Sequence, residues 1–454
     1  LENPNVKFAD GPTPPDDNAS HDPIEAIYAL NIGDFVADSF FSDELLHKIS
    51  HRLADDPGKL KAQLEELIHI YSIDKTLGVL GLDAQSGFLI YDSIASTLAR
   101  MFQVDACHLF QTATKDTGEQ ALSLTGTSVE LDNTHRWEIG IQAKANDFLS
   151  DTCRGFETAR VSQVSKLPNW HPIARISQHK TKSLIATPLR EGHKNMGLLL
   201  FESYTETEFS DELIHLAQIT AQVFVTGMRL QHLVAEAQDM INQSKTDPST
   251  LLSMRAQITE SIADLGIHQQ EFVEALSNAV DARHNFTRGH SKQVGELAQA
   301  IAEALKLNEK TVDLIYLAGL LGSLGKVHIP QEIMNKKESL NPEEWDRLRD
   351  HPNVGVNMLV KINFLSDVVP YVHSQNERWD GTGIPEGLKG RSIPLGARIL
   401  AVANAYYAMT RERPYRGEPL SHADAIKTLQ KEAESKWDPL IVDALAKIPP
   451  ESLM

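Results

Sequence analysis

Histidines and cations recur through the C-terminal part of this chain. His284, His290, His328, His351 and His373, with Asp281 and Asp380 among them, are the side-chain types from which a divalent-metal site is assembled. Lys326, Arg398, Arg413 and Arg416 are the types that hold a phosphodiester. Each group also has a plainer explanation. His290 is followed by Val294, Leu297, Ala298, Ile301 and Leu305, the spacing of one apolar helix face, so it can simply close a packed stripe. The basic residues would equally serve as surface ion pairs in an acidic protein. Gly319, Gly322 and Gly325 fall three apart, where each Gly costs roughly 1 kcal/mol relative to Ala, a cost that close helix packing would offset.

The two cysteines, Cys107 and Cys153, show neither CxxC nor zinc-finger spacing and are expected to be ordinary thiols in a reducing cytoplasm. Composition bounds the rest. The chain has 454 residues, with 43 Lys+Arg against 62 Asp+Glu and a formal charge of -19, so binding along a DNA or RNA backbone is not expected. About three structural units follow from the length. No apolar run approaches the ~18 residues of a membrane span. The chain begins at Leu1 and not Met, as a processed or trimmed start would.

The elements that must position these residues change character along the chain. Residues 1–22 mix Pro4, Pro12, Pro14 and Pro15 with Asp10, Asp16, Asp17 and Asp22 into an extended tail, and 23–80 carry helical spacing through Leu60, Leu64, Leu67 and Ile68. Residues 81–230 are mixed: a helical run from Ile90 to Phe102, a strand-like Ala106–Gln111, and a hairpin of SLIATP (183–188) and MGLLLFE (196–202) about the polar turn Arg190–Asn195. A helix opened by Ser210 follows, and helical character continues through 231–269 with a hinge or kink at Pro248. An all-helical domain is read from 270 to 454. The fold class is α+β.

The segment TKSLIATPLREGHKNMGLLLFESYTETEFSDELIHLAQITAQV resembles the C-terminal half of a GAF domain, an α/β sensory module that often dimerises through flanking helices. Its ligand is unknown from sequence; Cys107 and His171 (in NWHP) are candidate cofactor anchors, with core or surface roles as the alternative.

Downstream, FTRGHSKQV (286–294), LLGSLGKVHIP (320–330), HPNVG (351–355), NERWDGTGIPEGLKGRSIPLGARILAVANAYYAMT (376–410) and RPYR (413–416) together resemble the HD-GYP family of metal-dependent cyclic di-GMP phosphodiesterases. The resemblance aligns the family's adjacent His-Asp ligands with Gly322 and Ser323, its paired histidines with Gln375 and Asn376, the aspartate of AVADAYDA with Asn404, a further acid with Tyr407 and the GYP tyrosine with Ile384. His290 and His351 match retained family histidines, and Lys326 a retained lysine. Amides hold no charge and bind transition metals poorly, so the resemblance implies a catalytically inactive domain with no metal cofactor. It also implies a ligand group of Lys326, Arg413 and Arg416 for cyclic di-GMP, and a partner loop of Trp379, Asp380, Gly381, Gly383, Ile384 and Pro385 that would meet a protein such as a diguanylate cyclase. The expectation is a signalling protein in which a GAF sensor, dimeric through its domain and connector helices, controls a binding or scaffolding module. The alternatives are a phosphodiesterase rebuilt on His290, His351, His373 and nearby acids, or a receptor that binds cyclic di-GMP without hydrolysis.

Overall fold

The helical run read from Ile90 is α1 (Phe88–Phe102) in a computed structural model, which describes residues 88–114, 120–130, 140–142, 148–167, 170, 181–242, 248–283, 289–334, 336, 341–411 and 418–452. The tail read at 1–22 and the helical segment read at 23–80 lie outside the described residues, as do His171, His284, Arg413 and Arg416. One face of α1 buries Ala95, Leu98, Ala99, Met101 and Phe102. Arg100 in its last turn complements the carbonyl end of the helix dipole. Gln103, at φ 53, then turns the chain into a strand.

The sheet comprises β1 (Ala106–Thr114), β2 (Gln120–Thr127), β3 (Gly140–Gln142), β4 (Ala159–Val161), β5 (Ser183–Glu191) and β6 (Lys194–Ser203) in the order β3-β2-β1-β6-β5-β4. Each neighbouring pair is antiparallel. Along β6, Leu199 and Phe201 face one core while Leu198 and Leu200 face another. A strand covered on both faces reads as an unbroken apolar run, which is why GLLLF does not alternate. The second face is covered by α2 (Phe148–Arg154) through Leu149 and Cys153. The β5–β6 hairpin is tighter than its polar turn suggested: Arg190 pairs Asn195 and Glu191 pairs Lys194, leaving Gly192 and His193 as a two-residue turn with Gly192 at φ 55.

Ser210 opens α3 (Asp211–Asn242), its Oγ accepting from Leu213 N at 3.3 Å. Pro248 then starts α4 (Pro248–Ala282), where a first-turn proline loses no hydrogen bond. The expected kink is a complete reversal. α3 and α4 lie antiparallel, with Thr226 Oγ1 3.0 Å from His268 Nδ1 and Arg229 paired to Asp264. Leu230, Val234 and Ala237 bury against Leu251, Met254, Ile258, Ile262 and Leu265. A straight rod would leave both stripes in water, and burying them drives the fold-back. α4 continues without interruption through residue 270, so the connector and the helical domain share one helix.

That domain consists of α5 (His290–Ala304), α6 (Glu309–Leu321), a 3-10 turn at Leu324–His328, α7 (Gln331–Met334), α8 (Pro342–Leu359), α9 (Val369–His373), α10 (Leu395–Thr410), α11 (His422–Lys431) and α12 (Pro439–Leu445). Asn308 caps α6, and Asn341 with Glu344 forms a capping box on α8. A Cβ on Gly319 would stand 2.4 Å from Gly295 Cα, so α5 and α6 approach along glycines. α10 is nearly enclosed, burying Ala397, Ile399, Leu400, Val402, Ala403, Tyr406 and Met409.

Candidate functional site

The residues singled out above gather where α5, α6, α9 and α10 meet the Leu324–His328 turn. α6 ends at Leu321 with Gly322 as its C-cap. Beside it stands Gln375, 5% exposed, two residues past α9. Its Nε2 donates to Gly322 O at 2.9 Å and to Val372 O at 3.1 Å, and its Oε1 accepts from Asn404 Nδ2 at 3.3 Å. Three of the five positions where the resemblance places metal ligands are therefore joined by amide hydrogen bonds. Ser323, also buried, accepts from Lys326 Nζ at 3.0 Å. Asn376 takes part through its backbone, its carbonyl accepting from Ile384 N at 3.2 Å.

The retained histidines have different neighbours. His290 is 5% exposed, and its ring lies 4.9 Å from that of Tyr407 on α10, as the packed-stripe reading expects. His351, on α8, donates from Nδ1 to Leu348 O at 2.6 Å. Burial, with the nearby Lys326 charge, pulls its pKa down to about 4, so it is a neutral imidazole at neutral pH. His351 backbone also crowds the turn: a Cβ on Gly325 would fall 1.7 Å from its carbonyl oxygen.

Asp281, on the last turn of α4, accepts from Ser291 N at 2.7 Å and Ser291 Oγ at 2.8 Å, capping α5 from outside. Burial raises its pKa against the opposing pull of those bonds and of Lys326. Of the four cations, Arg398 is an ion-pair residue: its Nη1 lies 2.5 Å from Asp438 Oδ2, its Nε donates to Ile393 O, and its guanidinium sits 5.8 Å from the Trp379 ring centroid. Lys326 remains beside the amide network.

The loop from Glu377 to Pro394 is held by a side chain that no local spacing announced. Glu377, 3% exposed, accepts through Oε1 from Glu386 N at 2.7 Å and Gly387 N at 3.0 Å, closing the loop from its root. Trp379 N and Asp380 N donate to Lys436 O and Ser435 O. Asp380 Oδ1 accepts from Thr382 N and Oγ1, which holds its carboxyl below the usual range. Gly381 sits at φ 84, and a Cβ on Gly383 would meet Arg378 N at 2.2 Å. Ile384, followed by a cis bond to Pro385, is left 36% exposed on this frame.

In the sensor region, Cys107 is a core residue of β1 whose thiol pKa is raised by burial. Cys153 is buried and accepts from Asn195 Nδ2 at 2.8 Å. Among the described residues no helix is long and apolar enough to cross a membrane.

A multinuclear metal cluster at these positions would need imidazoles and bridging carboxylates. The residues present do not fit it. The amide of Gln375 is committed to Gly322, Val372 and Asn404, and the buried carboxylate of Asp281 to Ser291. Among the described residues no three His, Cys, Asp or Glu side chains are grouped to hold an ion.

The family model described as a GAF domain matches residues 89–226, and that described as an HD domain matches residues 274–441. The chain is 39% identical over 142 residues to the 3'3'-cGAMP-specific phosphodiesterase 1 of Vibrio cholerae, covering 31% of this chain and 33% of that protein. It is 29% identical over 263 residues to the cyclic di-GMP phosphodiesterase response regulator RpfG of Xanthomonas campestris, covering 56% and 68%. It is 33% identical over 183 residues to a cyclic di-GMP phosphodiesterase of Thermotoga maritima, covering 40% and 50%. The chain thus spans between 33% and 68% of the length of these relatives.

Proposed function

This chain carries a GAF domain followed by an HD domain related to cyclic di-GMP phosphodiesterases, and we propose that it is a non-catalytic signalling protein whose HD domain binds or scaffolds. The observation that carries this reading is the Gly322–Gln375–Asn404 hydrogen-bonded chain, which joins ligand positions by neutral amides. An amide network of this kind stabilises the domain without charge, whereas a metal cluster needs anionic ligands to balance it.

The test uses the purified full chain. Metal analysis and turnover of cyclic di-GMP and 3'3'-cGAMP with added manganese or iron are expected to show neither stoichiometric metal nor product. Bound metal together with turnover that is lost in His290→Ala would overturn the reading in favour of a rebuilt phosphodiesterase.

Within this reading the protein contact falls on the loop from Glu377 to Pro394, where Ile384 is presented on a closed frame to a partner such as a diguanylate cyclase. A homodimer would use the GAF domain and the outer faces of the connector, where Leu252 and Ile267 are 40% and 55% exposed, because the inner stripes cover each other. Light scattering of the full chain and of Ile267→Glu reads that directly, a monomeric mass for both removing the dimer. Lys326, held beside the amide network, supports binding of cyclic di-GMP without hydrolysis. Calorimetry with that ligand tests it, and absence of heat at high concentration removes it.

A further inference from the structure

A cavity of about 570 Å³ lies between the sensor sheet and the paired helices α3 and α4, within the roughly 300–1,000 Å³ that small-molecule sites occupy. β1 contributes Gln111, the β5–β6 hairpin Glu191 and Met196, α3 Met228 and Arg229, and α4 Glu260. Along β1, Gln111 follows Cys107 and Leu109 on the face that packs with α3, so the cavity opens on the side of the sheet away from α2. Every lining residue precedes the HD domain, which meets the sensor at Val327 O, an acceptor from Gln103 Nε2.

The charges in the lining balance. Lys194 and Arg229 stand against Glu191 and Glu260, and Asp264, which pairs with Arg229 Nη2, is outside the lining. An anion entering here meets two carboxylates, and a cation meets an ammonium and a guanidinium. The remaining polar walls are groups that both donate and accept: the amides of Gln111 and Gln257 and the hydroxyls of Thr112 and Ser261. Some of their bonds are weak. Gln111 Nε2 donates to Met228 Sδ at 3.3 Å, a thioether being a poor acceptor, and Thr112 Oγ1 reaches Met196 O only at 3.3 Å. Arg229 Nε has no hydrogen-bond acceptor among the described residues, and Glu191 Oε1, 3.9 Å away, is too far to serve.

We propose that this cavity binds a neutral polyhydroxylated molecule, a saccharide of one or two rings. A hydroxyl accepts from Arg229 Nε and donates to Glu191 through one oxygen. A ligand hydroxyl that enters as Glu191, 38% exposed, turns aside therefore satisfies both. The C–H face of the ring lies on Met196, Met228 and Leu233, where the flexible thioethers conform to it. Such a ligand touches the sheet and both paired helices at once, so its occupancy ties the sensor to the helix that runs on into the HD domain. The site stands whether or not that domain hydrolyses anything.

The test is calorimetry on the full chain with glucose, maltose and trehalose. Glucose 6-phosphate and glucosamine are run beside them as the same ring with an added anion or cation. Saturable binding of at least one neutral sugar is expected, tighter than that of either charged one. Glu191→Ala should weaken it about tenfold, the size of one hydrogen bond to a charged group, and Glu191→Ala/Glu260→Ala further. Both glutamates are at least partly exposed, so the variants keep the fold, which circular dichroism verifies. Three results overturn the proposal: no saturable heat with any neutral sugar, tighter binding of a charged sugar than of all three, or wild-type affinity in the folded double variant.

Discussion

Gln375 Nε2 donates to the carbonyl oxygen of Gly322 at 2.9 Å, and Gln375 Oε1 lies 2.6 Å from the point where a Cβ on residue 322 would stand. The two residues are therefore complementary: the glycine makes room for the amide, and the amide satisfies the glycine carbonyl left open at the end of α6.

A double-mutant cycle should expose that dependence. Gly322→Ala keeps an ordinary helical backbone, φ -59, so its cost comes from the contact and is expected at about 1–3 kcal/mol. Gln375→Ala should cost about 1 kcal/mol for the lost hydrogen bonds. The double variant is expected to be less destabilised than the sum, because removing the amide relieves the collision. Denaturant unfolding measures this, and strict additivity would contradict the complementarity.

Rebuilding a metal site must respect the same pair. Gly322→His alone is expected to destabilise the domain and take up no metal, since it meets Gln375. The combination Gly322→His, Ser323→Asp, Gln375→His, Asn376→His and Asn404→Asp should bind manganese or iron stoichiometrically in a folded protein. Metal analysis decides; a folded combination without metal would show that these positions do not converge as the resemblance implies.

Much of this region was legible beforehand, and the reason is local. The apolar periodicity behind His290, the Ser210 cap and the β5–β6 hairpin all depend on residues close in sequence, and each occurs, the hairpin with a shorter turn than Arg190–Asn195. The sequence at Pro248 shows an interruption and not a reversal, because a proline marks a break without giving the direction in which the chain resumes. Glu377 and Asp438 went unnoticed because their roles depend on partners nine, ten and forty residues away. Arg398 looked like a ligand cation for the same reason: its acid arrives from α12.

Removing that arginine should be costly. The Arg398 and Asp438 side chains are 13% and 4% exposed, and Asp438 also caps α12 through Leu440 N. Arg398→Met leaves a buried carboxylate unpaired and is expected to cost about 3 kcal/mol, with part of it recovered in Arg398→Met/Asp438→Asn. Arg154→Ala, breaking the exposed pair with Asp151, should cost less than about 1 kcal/mol. Thermal or denaturant unfolding of the three variants tests the ranking.

Asp313 predicts a pH effect of definite sign. Burial and the charges of Glu309 and Glu303 raise its pKa to about 6, and its Oδ2 has no hydrogen-bond partner among the described residues. The folded state binds this proton more tightly than the unfolded chain, so the residue destabilises above pH 6 and the penalty fades as pH falls toward 4. Asp313→Asn is expected to stabilise by about 1 kcal/mol at pH 7, discounted for its partial exposure, and to lose the advantage near pH 4. Melting curves across that range provide the measurement, and an advantage independent of pH would contradict the assignment.

The antiparallel pairing of α3 and α4 has a consequence for how this architecture tolerates change in length. Arg229 opposite Asp264, and Thr226 opposite His268, bring the chain back to the sensor after its excursion to the tip. The connector is thus a stem whose tip points away from the domain junction, not a spacer that sets the gap between domains. Lengthening both arms by matching turns extends the tip and leaves the junction at Val327 where it is; lengthening one arm alone slips the ladder and moves the junction. Evolutionary or engineered insertions in the stem should therefore be tolerated in pairs.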